Sequence, residues 1–147
     1  MVKSYVGPIR QEAADIRTDK LISAYMTTKV ISFHPDLSIY EAMQTLLWNK
    51  ISGAPVINEH QELVGVLSEG DCLKEIVKGK YHNAITDTGT VGEHMTKNIV
   101  TIKTNMTILD AAHFFLSQRF RRFPVTKNGK LVGLLTQTDL MRAMNEL

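Results

Sequence analysis

The feature that most constrains this chain is that it repeats itself. Setting Met26-Thr27 against Met95-Thr96 aligns residues 26–74 with 95–142, with one single-residue gap near His60. Identical pairs then fall at Met26/Met95, Thr27/Thr96, Ile39/Ile108, Ala42/Ala111, Leu47/Leu116, Pro55/Pro124, Val56/Val125, Leu63/Leu131, Val64/Val132, Gly65/Gly133, Leu67/Leu135 and Asp71/Asp139. Ser38/Thr107, Glu41/Asp110 and Ser68/Thr136 are conservative. A Pro, a Gly and an Asp do not fall into register together by chance, so the chain is a duplicated unit.

Each copy predicts the same elements. Val30-Ile31-Ser32-Phe33 and Ile99-Val100-Thr101-Ile102 are β-branched runs that read as strands. Ser38-x-x-Glu41 and Thr107-x-x-Asp110 follow as helix caps, each hydroxyl accepting from a first-turn N–H and each carboxylate reaching back. Ile39, Ala42, Met43, Leu46 and Leu47, and Ile108, Ala111, Ala112, Phe115 and Leu116, then recur at helical spacing on one buried stripe. Pro55-Val56-Ile57 and Pro124-Val125-Thr126 each open a strand, where proline is tolerated. Polar turns at residues 58–61 and 127–130 lead into Leu63–Leu67 and Leu131–Leu135, which makes a hairpin in each copy. A second helix starts near Glu69 and Gln137, the first of these closing at Gly79.

The fold expected is therefore α+β: two tandem β-α-β-β-α repeats, packed through their sheets with pseudo-twofold symmetry. A unit of about 50 residues buries little surface alone, so the copies are expected to share a core and to leave paired, equivalent clefts. The domain boundaries are an N-terminal arm at 1–18, a first repeat at 19–78, a linker at 79–90 and a second repeat at 91–147.

Composition removes several function classes. Seventeen basic and fifteen acidic residues leave a formal charge of +2, too balanced to argue for nucleic acid or a membrane surface as partner. Cys72 is the single cysteine, so an internal disulfide and a multi-cysteine zinc site are excluded. The five histidines show no metal-ligand spacing, and no metal site is expected. The first residues are broken by charge and by Gly7-Pro8, unlike a secretory signal, and no apolar run approaches a membrane span. A cytoplasmic location is expected.

The motif that carries chemistry is G-x-x-[ST]-x-x-D, present as Gly65–Asp71 and as Gly133–Asp139. S/T-x-x-D at a strand-to-helix turn is also a capping box, and that structural role is compatible with a ligand. A helix N-terminus attracts anions, but Asp71 and Asp139 would repel an adjacent phosphate. They suit a pair of donors instead, such as the hydroxyls of a ribose, with Ser68, Thr136 and Thr138 reaching the sugar or first phosphate. The copies differ nearby: Arg119, Arg121 and Arg122 stand where the first has Lys50, Ser52 and Gly53. The arginines are either a solvated basic turn or bidentate phosphate ligands that would make one cleft prefer phosphorylated nucleotides.

The chain resembles a CBS-domain pair, the tandem module named for cystathionine β-synthase. The resemblance covers residues 21–147 and rests on Met-Thr before the first strand, on Ala54-Pro55-Val56 and Phe123-Pro124-Val125, and on both G-x-x-[ST]-x-x-D turns. It implies a flat disc of two repeats whose clefts take AMP, ADP, ATP or S-adenosylmethionine as ligand rather than cofactor. It also implies that Asp71 and Asp139 hold the ribose, with Ser68 and Thr136 as neighbouring hydroxyls. Ile51-Ser52-Gly53 and Phe120-Arg121-Arg122 would line base and phosphates, and Thr28 and Val30, or Asn98 and Ile99, the base pocket. A homodimer formed through helical faces is expected by the same analogy.

No nucleophile–base pair, P-loop or dinucleotide motif appears, and no catalytic residue is assigned. The leading reading is a non-catalytic regulatory module that senses an adenosine-containing ligand and reports to an effector protein. The alternatives are a structural homodimerisation or protein-interaction module with vacant clefts, and an enzyme whose catalytic groups come from a partner. Cys72, at a helix start, reads as an inert small residue, His113 as structural or exposed, and Met106, Met141 and Met144 as fillers. Trp48 is expected either at a subunit contact or closing the core.

Overall fold

The computed structural model describes residues 20–81, 89–118 and 121–146, the side chains of 79–81 excepted. The arm at 1–18, the centre of the linker, Arg119 and Phe120 lie outside the described residues. Helix α1 (Ile39–Asn49), strands β1 (Gly53–Ile57) and β2 (Leu63–Ser68) and helix α2 (Glu69–Tyr81) make the first repeat. A short helix α3 (Val91–His94) precedes the second: β3 (Ile102–Lys103), α4 (Ile108–Gln118), β4 (Arg122–Lys127), β5 (Lys130–Thr136) and α5 (Gln137–Asn145). The architecture is α+β, with one sheet ordered β1-β2 and another ordered β3-β4-β5.

Local chemistry explains most boundaries. Ser38 and Thr107 cap α1 and α4, their hydroxyls accepting from Glu41 N–H and Asp110 N–H at 3.1 Å each. The backbone N–H of the first residue in each helix is taken from outside: Ile39 donates to the Gly89 carbonyl at 3.0 Å and Ile108 to that of Lys20 at 2.9 Å. The α1 cap is one-way, without the return bond from Glu41. Helix α1 ends as Lys50 turns left-handed at φ 55. Helix α2 runs past Gly79 to Tyr81, because glycine permits a left-handed stop without requiring one.

The turns separate the two hairpins by one residue. Asn128 and Gly129, both at positive φ (53 and 79), provide the twist of a two-residue hairpin turn between β4 and β5. The first hairpin's turn is longer: the Asn58 Oδ1 accepts from His60 N–H and Glu62 N–H at 2.9 and 3.0 Å, and Gln61 takes φ 64. The extra residue of this turn is the gap near His60 in the repeat, and the pairing of β1 with β2 shifts ahead of the turn, at Val56/Ile57.

Two sequence expectations are corrected here. The leading strands shrink to Phe33, which bridges Val56 in parallel, and to Ile102–Lys103, because a β-branched run is a strand only where an edge accepts its hydrogen bonds. Strands β1 and β4 start two residues before their prolines. Pro55 is accommodated because Val66, opposite it, turns both backbone groups away to Thr96, at 3.0 and 2.9 Å.

The described residues form two buried apolar clusters. One buried cluster gathers Phe33, Ile39, Ala42, Leu46, Ala54, Val56, Leu67, Cys72 and Val91. The other gathers Ile22, Ile102, Ile108, Ala111, Phe115, Phe123, Val125, Leu135, Leu140 and Ala143. Each cluster contains one residue from the other repeat's leading segment: Val91 completes the first repeat's core and Ile22 the second's. The described residues accordingly form two compact units, one of 29–81, 89–100 and 126–131, the other of 20–28, 101–118, 121–125 and 132–146. The apolar stripe is narrower than the spacing predicts, since Leu47 and Leu116 are exposed. An offset of eight residues rotates a side chain about 80° from the stripe's first position, onto its rim. Trp48 and Met141 also face outward rather than closing a core, whereas Met106 and Met144 pack against one.

Candidate ligand site

Both acidic turns stand where a hairpin's second strand meets a helix. In one unit the Asp71 Oδ2 accepts Ser68 N–H at 2.9 Å and the Ser68 hydroxyl at 3.0 Å, while Ser68 Oγ accepts Asp71 N–H at 3.3 Å. In the other, Asp139 Oδ2 accepts Thr136 N–H at 3.0 Å and Thr136 Oγ1 accepts Asp139 N–H at 3.1 Å. These are reciprocal capping boxes, so the structural role of the motif is present at both turns. The next free N–H of each helix is also satisfied: Glu69 N–H donates to the Ser52 carbonyl at 2.8 Å and Gln137 N–H to the Arg121 carbonyl at 3.1 Å. That contact brings Ile51-Ser52-Gly53 beside the Asp71 turn, and Arg121-Arg122 beside the Asp139 turn.

The motif's glycines mark a crossing that the sequence reading does not anticipate. Thr27 pairs with Leu134 through two backbone bonds of 2.9 Å, and Thr96 pairs with Val66 in the same way. Met26-Thr27, which opens the first repeat, thus lies on the second repeat's G-x-x-T strand, and Met95-Thr96 lies on the first repeat's. A Cβ on Gly65 would strike the Met95 sulfur and come 3.1 Å from the Thr96 carbonyl; one on Gly133 would sit 2.7 Å from Met26 Sδ and 3.0 Å from the Thr27 carbonyl. The duplication of Met-Thr and Gly together is the signal that could have revealed the contact, but not which copy reaches which.

The exchange sorts the remaining candidates. Thr28 falls in the unit of Thr136, Thr138, Asp139, Arg121 and Arg122, whereas Val30 falls with Ile51, Ser52, Gly53, Ser68 and Asp71, as do Asn98 and Ile99. Thr28, Thr138 and Arg121 are exposed, Ser68, Asp71 and Arg122 half-buried, and Asp139 buried. The two carboxylates also differ in what else they touch. The Asp139 Oδ2 receives the Thr27 hydroxyl at 3.4 Å and its Oδ1 faces an Arg142 guanidinium nitrogen at 3.4 Å. Among the described residues Asp71 makes no hydrogen bond beyond Ser68, and none of them engages its Oδ1. Burial, and then the Asp71 charge, push the adjacent Cys72 thiol pKa up, keeping it protonated and inert near neutrality. Among the described residues no cluster of His, Cys, Asp and Glu is placed to hold a metal ion, and no helix is long and apolar enough to cross a membrane.

Two tandem α+β repeats, each with a capped acidic turn and with the other's Met-Thr segment on the strand leading into it, define a paired-repeat module. The CBS-domain profile matches residues 22–78 and 91–146, and the chain belongs to the CBS-domain family. An uncharacterized protein of Methanocaldococcus jannaschii, MJ1225, is 27% identical over 119 residues, which are 81% of this chain and 41% of that protein. Inosine-5'-monophosphate dehydrogenase of Aquifex aeolicus is 29% identical over 137 residues, 92% of this chain but 26% of the dehydrogenase. The chain thus spans less than half the length of either relative. The crystal structure of CBSX2 in complex with AMP superposes at TM-score 0.74 with 31% identity, covering 86% of this chain and 97% of that one; CBSX2 is an Arabidopsis thaliana CBS-pair protein.

Proposed function

We propose that the chain is a non-catalytic regulatory module of the cytoplasm that binds an adenosine-containing ligand, AMP, ADP, ATP or S-adenosylmethionine, through the ribose at its acidic turns. The observation that carries this reading is the Oδ1 of half-buried Asp71, engaged by no described residue, at a helix start whose own capping needs are already met. A carboxylate oxygen with a spare lone pair is an acceptor for a sugar hydroxyl, and a charge-assisted bond of that kind contributes roughly 1.5–3 kcal/mol. CBSX2, with AMP bound, supports the choice of ligand class. The mechanism is differential binding. A ligand that prefers one arrangement of the chain shifts the population toward it, and an effector protein reads the shift.

A thermal-shift panel of AMP, ADP, ATP, NAD and S-adenosylmethionine tests the reading. A ligand at a hundred times its Kd adds about 2.7 kcal/mol of stability. An Asp71→Asn, Asp139→Asn double variant is expected to abolish that shift, and its survival would put the site elsewhere.

A second reading, a homodimerisation module, is favoured by a different observation. Helices α1 and α2 expose Leu47, Trp48, Leu73 and Val77, with Trp48 at 87%. Large exposed apolar side chains of this kind mark contact surfaces, and a second copy of the chain is the occupant proposed. Sedimentation of the chain and of a Trp48→Asp, Leu73→Asp variant is expected to show a dimer and a monomer; a monomeric parent would remove the reading.

A further inference from the structure

We infer that the two acidic turns are unequal receivers: a ribose is taken first at Asp71, while Asp139 is held by its own unit through Arg142 and Thr27. The inference rests on the proposed nucleoside-binding function and ranks its two sites.

A ribose diol donates hydrogen bonds, so it needs an acceptor oxygen that is both reachable and not already engaged. Asp71 offers Oδ1 on those terms, its Oδ2 alone serving Ser68. Asp139 is 5% exposed, and both its oxygens have a long contact beyond the cap, Oδ2 with the Thr27 hydroxyl and Oδ1 with Arg142, each at 3.4 Å. The backbone pairing of Thr27 with Leu134 ties Thr27 to the strand leading into this turn. Symmetry makes the contrast sharper. The repeat places Lys74 where Arg142 stands and Thr96 where Thr27 stands, yet neither engages Asp71 among the described residues. Neutral sugar hydroxyls arriving at Asp139 must therefore compete with a guanidinium nitrogen and a threonine hydroxyl, whereas no described side chain other than Ser68 competes for Asp71. Arg142 is largely exposed, with 60% of its side chain accessible, so its hold is moderate and a single substitution can release it.

Calorimetric titration of the full chain with adenosine, which carries the diol and no phosphate, reads the order, and AMP serves as the control ligand. The tighter adenosine site is expected to weaken at least about tenfold in Asp71→Asn and less than about threefold in Asp139→Asn, the cost of one charge-assisted bond. Arg142→Ala, which leaves both caps in place, is expected to tighten the second binding event about threefold to tenfold. Equal losses in the two Asn variants, a larger loss in Asp139→Asn, or an Arg142→Ala variant identical to the parent would overturn the order while leaving nucleoside binding intact. A parent chain that binds neither adenosine nor AMP would instead overturn the functional reading, and the ranking with it.

Discussion

Gly133 lies directly beneath Met26, close enough that a Cβ on the glycine would come within 2.7 Å of the methionine sulfur. The two residues open different repeats' motifs, and their contact is what lets the Thr27 and Leu134 backbones pair at 2.9 Å. An added methyl also meets the Thr27 carbonyl, which cannot rotate aside as a thioether can. Gly133→Ala is expected to lower stability by about 1–3 kcal/mol, the usual cost of overpacking, in urea unfolding. Exchange of the Thr27 and Leu134 amides should accelerate at the same time. Met26→Ala added to Gly133→Ala should recover part of the loss, whereas strict additivity would show that the contact does not govern the pairing.

The cap at the second acidic turn supports a separate expectation. Thr136 Oγ1 accepts Asp139 N–H at 3.1 Å, so Thr136→Ala removes the acceptor of a half-buried cap. The loss should be about 0.5–2 kcal/mol in thermal unfolding, and Thr136→Ser should restore most of it. If serine fails to rescue, the threonine methyl rather than its hydroxyl is what matters there.

These two residues also show where the sequence is legible. Thr136-x-x-Asp139 can be read from spacing because a cap is made by residues three apart, and the same holds for Ser38 and Thr107. Asn128-Gly129 is legible for a similar reason, since local backbone twist selects the residue type. The crossing of Met26 over Gly133 and of Met95 over Gly65 is a long-range choice between two near-identical partners, and no local pattern distinguishes them. Nor could spacing foresee that Arg142 would engage Asp139 while Lys74 leaves Asp71 alone. The leading strands misled for the complementary reason: Val30-Ile31-Ser32 has the composition of a strand but no edge to join.

Cys72 predicts a pH dependence of known sign. Burial, followed by the Asp71 carboxylate, raises its thiol pKa above the ordinary value of 9.0. The folded chain then holds a proton that the unfolded chain releases sooner, so this contribution to stability is complete below pH 9.0 and is lost as pH rises toward the folded value. Denaturation of the parent between pH 8 and pH 11 should lose more stability than that of Cys72→Ala over the same range. Parallel curves would show that the thiol does not titrate differently in the two states.

The arginines that distinguish the second repeat give a prediction in ligand charge. Arg121 presents an exposed side chain at the base of the Asp139 turn, its carbonyl fixed by Gln137 N–H at 3.1 Å, and Arg122 begins β4 beside it. At the equivalent place in the first repeat stand Ser52 and Gly53, and a Cβ on Gly53 would come 2.9 Å from the Leu67 carbonyl, so position 53 has no room for a side chain like that of Arg122 without a backbone shift. The adjacent arginine pair is present at only one of the two turns, and a phosphate selectivity due to it is expected there alone. Arg121→Ala with Arg122→Ala should weaken ATP binding about tenfold or more and adenosine binding by less than about twofold, measured by calorimetry on the same preparation. Equal losses for the two ligands would mean that the arginines support the fold of the turn rather than a phosphate, and the charge selectivity assigned to them would have to be abandoned.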